Sequence, residues 1–399
     1  MLIKRRSFIQ TGALASAAVF LPRFLRAMES PVAVPAGNKV LVVLQFSGGN
    51  DGLNTIIPTR NDIYYQLRPR LAIKREQALS LTDEVGIHPT LTGFKLLYDS
   101  GELAILNSVG YPNPDRSHFR SMDIWHSASA SNEYINTGWL GRYLDAQCRG
   151  CDKPIHAVEI DDTLSLALKG EQVTGLAFTD PKKLYNSSND RFFAELAQAK
   201  TDHEHEPIAD YLYKTMRNTL NSAQHILEKS KQRTSQAPYP VTNLGKDFKT
   251  IASLILSDIQ TKVYYVSVGS FDTHVNQEGQ QKRLFQEIND AVTAFVHDMK
   301  ANHRFHDVLL MTFSEFGRRV KQNASNGTDH GTANHMCFIG GALQQKGLLN
   351  GMPSLTNLLD GDLQYEVDFR NVYATILKKW LNTDDQTIIP RQADYFHFV

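Results

Sequence analysis

An α/β fold, with a mostly parallel central sheet and helices on both faces, is what this 399-residue chain predicts. Two observations carry it. Five apolar runs show no polar alternation, as strands covered on both faces do. Helical stretches with apolar positions at a 3.6-residue period lie between them, and strand–helix alternation builds parallel sheets. With 42% hydrophobic and 10% aromatic residues, the composition is that of a globular protein with a large core.

The chain starts with Lys4-Arg5-Arg6-Ser7-Phe8-Ile9, an apolar stretch from Ile9 to Leu21, and Pro22-Arg23-Phe24-Leu25-Arg26-Ala27. A basic start, a short apolar segment and a small residue at the cut describe a cleaved export signal. The arginine pair marks the twin-arginine (Tat) route, and the apolar segment is too short to span a membrane well. The expected arrangement is a signal peptide over 1–27 and a single domain over 28–399, with periplasmic or extracellular localisation. Without the five basic residues of the signal, 37 basic residues face 42 acidic ones, a net of −5. That balance argues against nucleic acid and anionic lipid as partners. No later segment is apolar enough to form an integral membrane span.

The strands follow in order. Lys39–Phe46 is the first and ends in Ser47-Gly48-Gly49-Asn50-Asp51-Gly52. Leu103–Val109 is the second. Residues 180–245 are polar and helical in pattern, and read as a helical insertion or cap. Phe248, Ile251, Ala252, Ile255 and Ile259 form a helix face before the third strand, Lys262–Val268. The helix Gln277–Asn302 aligns Leu284, Phe285, Ile288, Ala291, Val292, Phe295, Val296 and Met299 on one face. Asp307–Phe313 and His335–Gly341 are the fourth and fifth strands. Cys148 and Cys151 form a CxxC pair that fits inert thiols, a disulfide closed after export, or a redox or metal role. Cys337 reads as a core residue.

Ligands of parallel sheets bind at the carboxyl ends of the strands. There the sequence places Asp51 after the first strand, Asp272 and His274 after the third, and Glu315 after the fourth. Asp329, His330 and His335 lead into the fifth. Carboxylates and imidazoles that converge so make a divalent-metal site, for Zn, Mn, Ca or Mg. The alternative gives each acid a helix to cap and each histidine a local partner. The loop at Gly48–Gly52 has neither the Walker nor the dinucleotide spacing, so a nucleotide-dependent oxidoreductase finds no support. Ser117, in Pro114-Asp115-Arg116-Ser117-His118-Phe119, precedes a helical stretch. It reads either as an ordinary N-cap or as a nucleophile activated by a nearby metal. His118 competes for the same place as ligand or general acid, and Arg318 or Arg116 could hold an anion.

The order of these elements resembles the alkaline-phosphatase-like superfamily of phosphatases and sulfatases. That resemblance implies an alkaline-phosphatase-like fold, Asp51 as a metal ligand and Ser117 as the nucleophile. It also implies Asp272, His274 and His330 as further ligands. Glu315-Phe316 departs from the superfamily's Asp-His pair, which implies a single metal or a different one. More specifically, the chain resembles the exported bacterial family known as domain of unknown function 1501. The matching pieces are the Tat start, Ser47-Gly48-Gly49-Asn50-Asp51-Gly52-Leu53-Asn54, Arg116-Ser117-His118-Phe119 and Thr137-Gly138-Trp139-Leu140-Gly141-Arg142-Tyr143-Leu144. Phe271-Asp272-Thr273-His274, Ser314-Glu315-Phe316-Gly317-Arg318 and Asp329-His330-Gly331 complete the set. The implied function is an exported, metal-dependent hydrolase of phosphate or sulfate monoesters, with a small anionic ester as substrate. The alternative is a non-catalytic cell-envelope binding protein that keeps the fold.

Overall fold

The computed structural model describes residues 39–147, 156–189 and 207–399; side chains at 207–215 and 218 are excepted. The expected signal peptide and the Cys148–Cys151 pair lie outside the described residues. Nine strands form the central sheet: β1 (Val40–Phe46), β2 (Leu103–Gly110), β3 (Ala157–Glu159), β4 (Leu176–Ala177), β5 (Val263–Val268), β6 (Val308–Phe313), β7 (Asn334–Gly340), β8 (Gly347–Leu348) and β9 (Val367–Asp368). Their order is β8-β2-β7-β6-β1-β5-β3-β4, and β9 also pairs with β2. The five apolar runs predicted as strands are β1, β2, β5, β6 and β7, each within one residue of its expected bounds.

β7 is antiparallel to both of its neighbours, and every other pairing in the sheet is parallel. The register sets Gln45 of β1 beside Phe313 of β6, and Phe46 beside Val268 of β5. The loops that leave β1, β5 and β6 therefore start from one edge of the sheet. Because β7 runs the other way, it begins at that same edge, with Asn334 beside Val109.

Successive side chains of a strand point to opposite faces. In β1, Val40, Val42, Leu44 and Phe46 enter one apolar cluster, while Leu41 and Val43 enter another. The first face is covered by α1 (Thr92–Asp99), α5 (Asn243–Leu256) and α6 (Gln277–Ala301). The second is covered by α2 (His118–Ser127), α3 (Trp139–Gln147) and α7 (Phe369–Thr375). All eight apolar residues predicted for one face of α6 are buried. Each large one contributes roughly 1.5–3 kcal/mol, and truncating Phe295 to Ala would cost about 3–5 kcal/mol.

Within residues 180–245, helix α4 (Pro207–Gln232) buries Ala223, Ile226 and Leu227. Ile226 joins the apolar cluster of α5 and α6. Ser235 and Tyr239 donate hydrogen bonds to Asp298 of α6 at 2.6 and 2.9 Å. Cys337 is a free, buried thiol in β7. Among the described residues no helix is long and apolar enough to cross a membrane.

Candidate metal centre

Four chain segments meet at the strand edge. The first is the Gly48-Gly49 turn after β1, with φ of +115° and +78°. A side chain at Gly48 would place its Cβ 2.6 Å from the backbone nitrogen of Asp272, so only glycine lets the loops after β1 and β5 approach this closely. The second segment is the loop after β5, which carries Asp272 and His274. The third, after β6, doubles back on itself. Gly317 N–H donates to Thr332 O at 2.8 Å, Gly331 N–H to Gly317 O at 2.9 Å, and Arg319 N–H to Asp329 O at 3.0 Å. This pairing sets Arg318 opposite His330. The fourth is the start of α2, which contributes His118 as its first residue.

Three imidazoles share one arrangement. The Nδ1 of His118 lies 2.9 Å from Glu315 Oε1, that of His274 lies 3.1 Å from Asp329 Oδ1, and that of His330 lies 2.8 Å from the Arg116 carbonyl. A carbonyl only accepts, and an ionised carboxylate only accepts, so each Nδ1 carries the proton. The Nε2 atoms are turned the other way, towards Asp272. Those of His274 and His330 lie 3.0 and 3.1 Å from Asp272 Oδ1, and that of His118 lies 3.6 Å from Oδ2. His274 Nε2 and His330 Nε2 stand 3.0 Å apart. His118 Nε2 is buried without a hydrogen-bond partner. One ligand atom each from His118, Asp272 and His330 falls within 4.8 Å of the others. Two neutral Nε2 lone pairs at 3.0 Å repel, so the pair calls for a proton or a cation between them. His118, Asp272 and His330 fit a divalent metal with two nitrogen donors and one carboxylate oxygen, and His274 Nε2 stands 3.0 Å from both Asp272 Oδ1 and His330 Nε2, beside that set.

Electrostatics follow the geometry. Burial alone would raise the pKa of Asp272, but the hydrogen bond from Arg318, its charge, and the imidazolium forms that His330 and His274 take when no cation sits between them outweigh it and hold the carboxyl at about 2. The hydrogen bond to Glu315 lifts His118 above its ordinary value against the pull of burial. Hydrogen bonds from Asn323 and then His274 keep Asp329 below the usual carboxylate range. Glu315 is fully buried and also accepts from Gly48 N–H at 2.8 Å. Phe316 packs its ring 4.9 Å from His118 and 4.7 Å from His330.

The structure thus brings together Asp272, His274, His330, His118, Glu315 and Asp329. It sets Glu315 and Asp329 behind the imidazoles, where they fix ring orientation, rather than beside them. Asp51 is held elsewhere: its Oδ2 pairs with Arg68 at 2.6 Å and takes a hydrogen bond from Gln277 at 2.5 Å, while Oδ1 is buried without a partner. His335 is also outside the cluster. It is buried at the start of β7, and burial pushes its pKa down to about 4, so it is a neutral core histidine. Arg318 has no exposed side-chain surface. It donates to the carbonyls of Gly48, Gly49, Phe271 and Thr328 and to Asp272. Its task is to hold three loops and one carboxylate together, and no ligand can reach it. Arg116 is tied to Asp362. Ser117 is the N-cap of α2; it is exposed, and its hydroxyl makes no cap hydrogen bond. Sequence reasoning missed Arg68, Gln277 and the wall made by Phe316. Phe316, read only as a departure from a family pattern, was visible as an aromatic flanked by Glu315 and Gly317.

Similarity to solved structures is loose. The C-terminal periplasmic domain of EptC from Escherichia coli, in complex with Zn, is 10% identical, with 78% of this chain and 75% of that one covered and a TM-score of 0.35. The lipoteichoic acid synthase LtaP from Listeria monocytogenes is 10% identical, covering 91% and 75%, with a TM-score of 0.39. The PsFucS1 sulfatase from Pseudoalteromonas sp. is 12% identical, covering 90% and 73%, with a TM-score of 0.38. Likenesses at this level carry no conclusion about activity. No curated protein matches the sequence. The family described as "Protein of unknown function (DUF1501)" matches residues 100–399, three quarters of the chain, and this protein belongs to it.

Proposed function

We propose that this protein is an exported, divalent-metal-dependent hydrolase of phosphate or sulfate monoesters. The observation that carries the reading is the convergence of three Nε2 atoms on Asp272 while every Nδ1 is held by an oxygen acceptor. Three imidazoles and one carboxylate suit Zn better than Ca or Mg, which prefer all-oxygen shells. Such an ion, held by His118, His274, His330 and Asp272, would supply Lewis-acid stabilisation of an anionic ester.

The chain's own residues would do the rest. Glu315 and Asp329 keep two imidazoles in the ligating tautomer. Ser117 is the proposed nucleophile; an exposed hydroxyl, free of a cap bond and adjacent to His118, supports that role. Net hydrolysis adds water across the ester bond and releases an alcohol and inorganic phosphate or sulfate. Neither Arg116 nor Arg318 is free to clamp the anion, which favours the second reading, a metal-holding envelope protein without turnover. Zinc-loaded protein assayed on aryl phosphate and aryl sulfate separates the two. Turnover that a chelator removes and zinc restores supports the hydrolase; no turnover on either ester supports the binding protein.

A further inference from the structure

A cleft of about 210 Å³ opens beside the histidine cluster. The two share a wall. Phe316 lines the cleft and packs its ring against those of His118 and His330. Arg116 lines it too, and its carbonyl holds His330 Nδ1. A group attached to an ester seated at the cluster would therefore have this cleft beside it.

Size and lining define what fits. An apolar cavity of about 150 Å³ holds one benzene ring, so a cleft of about 210 Å³ has room for a single ring with a small substituent. Tyr111, Pro114, Phe316, Leu359, Leu363 and Tyr365 give the walls an apolar and aromatic character. Leu359 is 57% exposed and Tyr365 is 38% exposed, so apolar surface faces water at the mouth. They are two of the few large apolar side chains left in solvent among the described residues. Asp115 and Asp360 also line the cleft and disfavour a second anionic group there.

We infer that this cleft is the leaving-group pocket, and that the substrate is the monoester of a single uncharged ring, aromatic or similarly apolar. The inference rests on the ester-hydrolase reading and adds its substrate class.

The test uses non-hydrolysable probes and reads binding. Zinc-loaded protein is titrated calorimetrically with phenylphosphonate and methylphosphonate, and with benzenesulfonate and methanesulfonate. The ring-bearing member of the preferred pair should bind at least about tenfold more tightly than its methyl partner, the scale expected for burying one ring. The double variant Leu359→Ala/Tyr365→Ala alters exposed side chains and should fold. It should cut that preference at least threefold and leave the methyl probe's affinity unchanged. Equal affinities within both pairs would overturn the pocket assignment while the ester reading stands. Failure of all four probes to bind would overturn the ester reading, and the pocket with it.

Discussion

His274 Nε2 and His330 Nε2 face each other at 3.0 Å, each with its Nδ1 committed to an oxygen on the far side of its ring. Their loops follow different strands, β5 and β6, and nothing local in either loop requires the approach. Arg318 supplies the link: it donates to Asp272 and Phe271 on one loop, to Gly48 and Gly49 on another, and belongs itself to the third.

Arg318→Ala should therefore be a folding defect. It would leave the carbonyls of Gly49 and Thr328 without their donor in the interior, and the expected loss is about 3–5 kcal/mol. Urea denaturation measures it. A loss below about 1 kcal/mol would show that the loops hold together without the guanidinium.

Ser117→Ala should behave in the opposite way. The hydroxyl is exposed and caps nothing, so stability should change by less than about 0.5 kcal/mol. Turnover of an aryl ester should fall by roughly 10²–10⁶. Undiminished turnover would remove Ser117 from the chemistry and leave His118 as the group to examine, through His118→Ala.

Acid should weaken the fold through His126. This imidazole is fully buried against Gln45 and Tyr265, and burial pushes its pKa down to about 4. Between its unfolded value near 6.5 and about 4, the unfolded chain binds a proton that the native chain refuses. Stability is thus complete above 6.5 and declines as pH falls through that window, by up to about 1.4 kcal/mol per pH unit. Buried Glu159 and half-buried Asp247, raised to about 7, act in the opposite sense, so the contribution must be read by difference. Compared with wild type, His126→Gln should lose less stability between pH 7 and pH 5. Parallel pH profiles would contradict the assignment.

Export is predicted by Arg5-Arg6 ahead of the apolar stretch. Replacing both by Lys should keep the precursor in the cytoplasm, as cell fractionation would detect. Normal export of the double variant would refute the Tat route.

The parts legible in the sequence are those with a strong local signal. β1 and α6 were readable because one is a continuous apolar run and the other repeats apolar residues over about four turns, from Leu284 to Met299. β3, β4, β8 and β9 were not, since two or three residues carry no period. The reversed direction of β7 left no trace either, because strand composition is the same both ways. At the site, Asp272, His274 and His330 stood out as chemistry at strand ends. Asp51 looked equivalent, and only the structure shows Arg68 reaching its carboxylate from the turn after a short helix. His335 follows the same logic: position suggested a ligand, and burial made it part of the core.

Metal binding by the Nε2 atoms of His118, His274 and His330 together with Asp272 is the central prediction. Calorimetric titration of metal-free protein with zinc tests it, with His330→Ala and Asp272→Ala in parallel and circular dichroism as the check on folding. The prediction is one tight site per wild-type chain, weakened at least 100-fold in both folded variants, with Asp329→Asn weakened by about 10–100-fold. Zinc uptake by the variants equal to that of wild type, or no uptake by the wild-type chain, would contradict it.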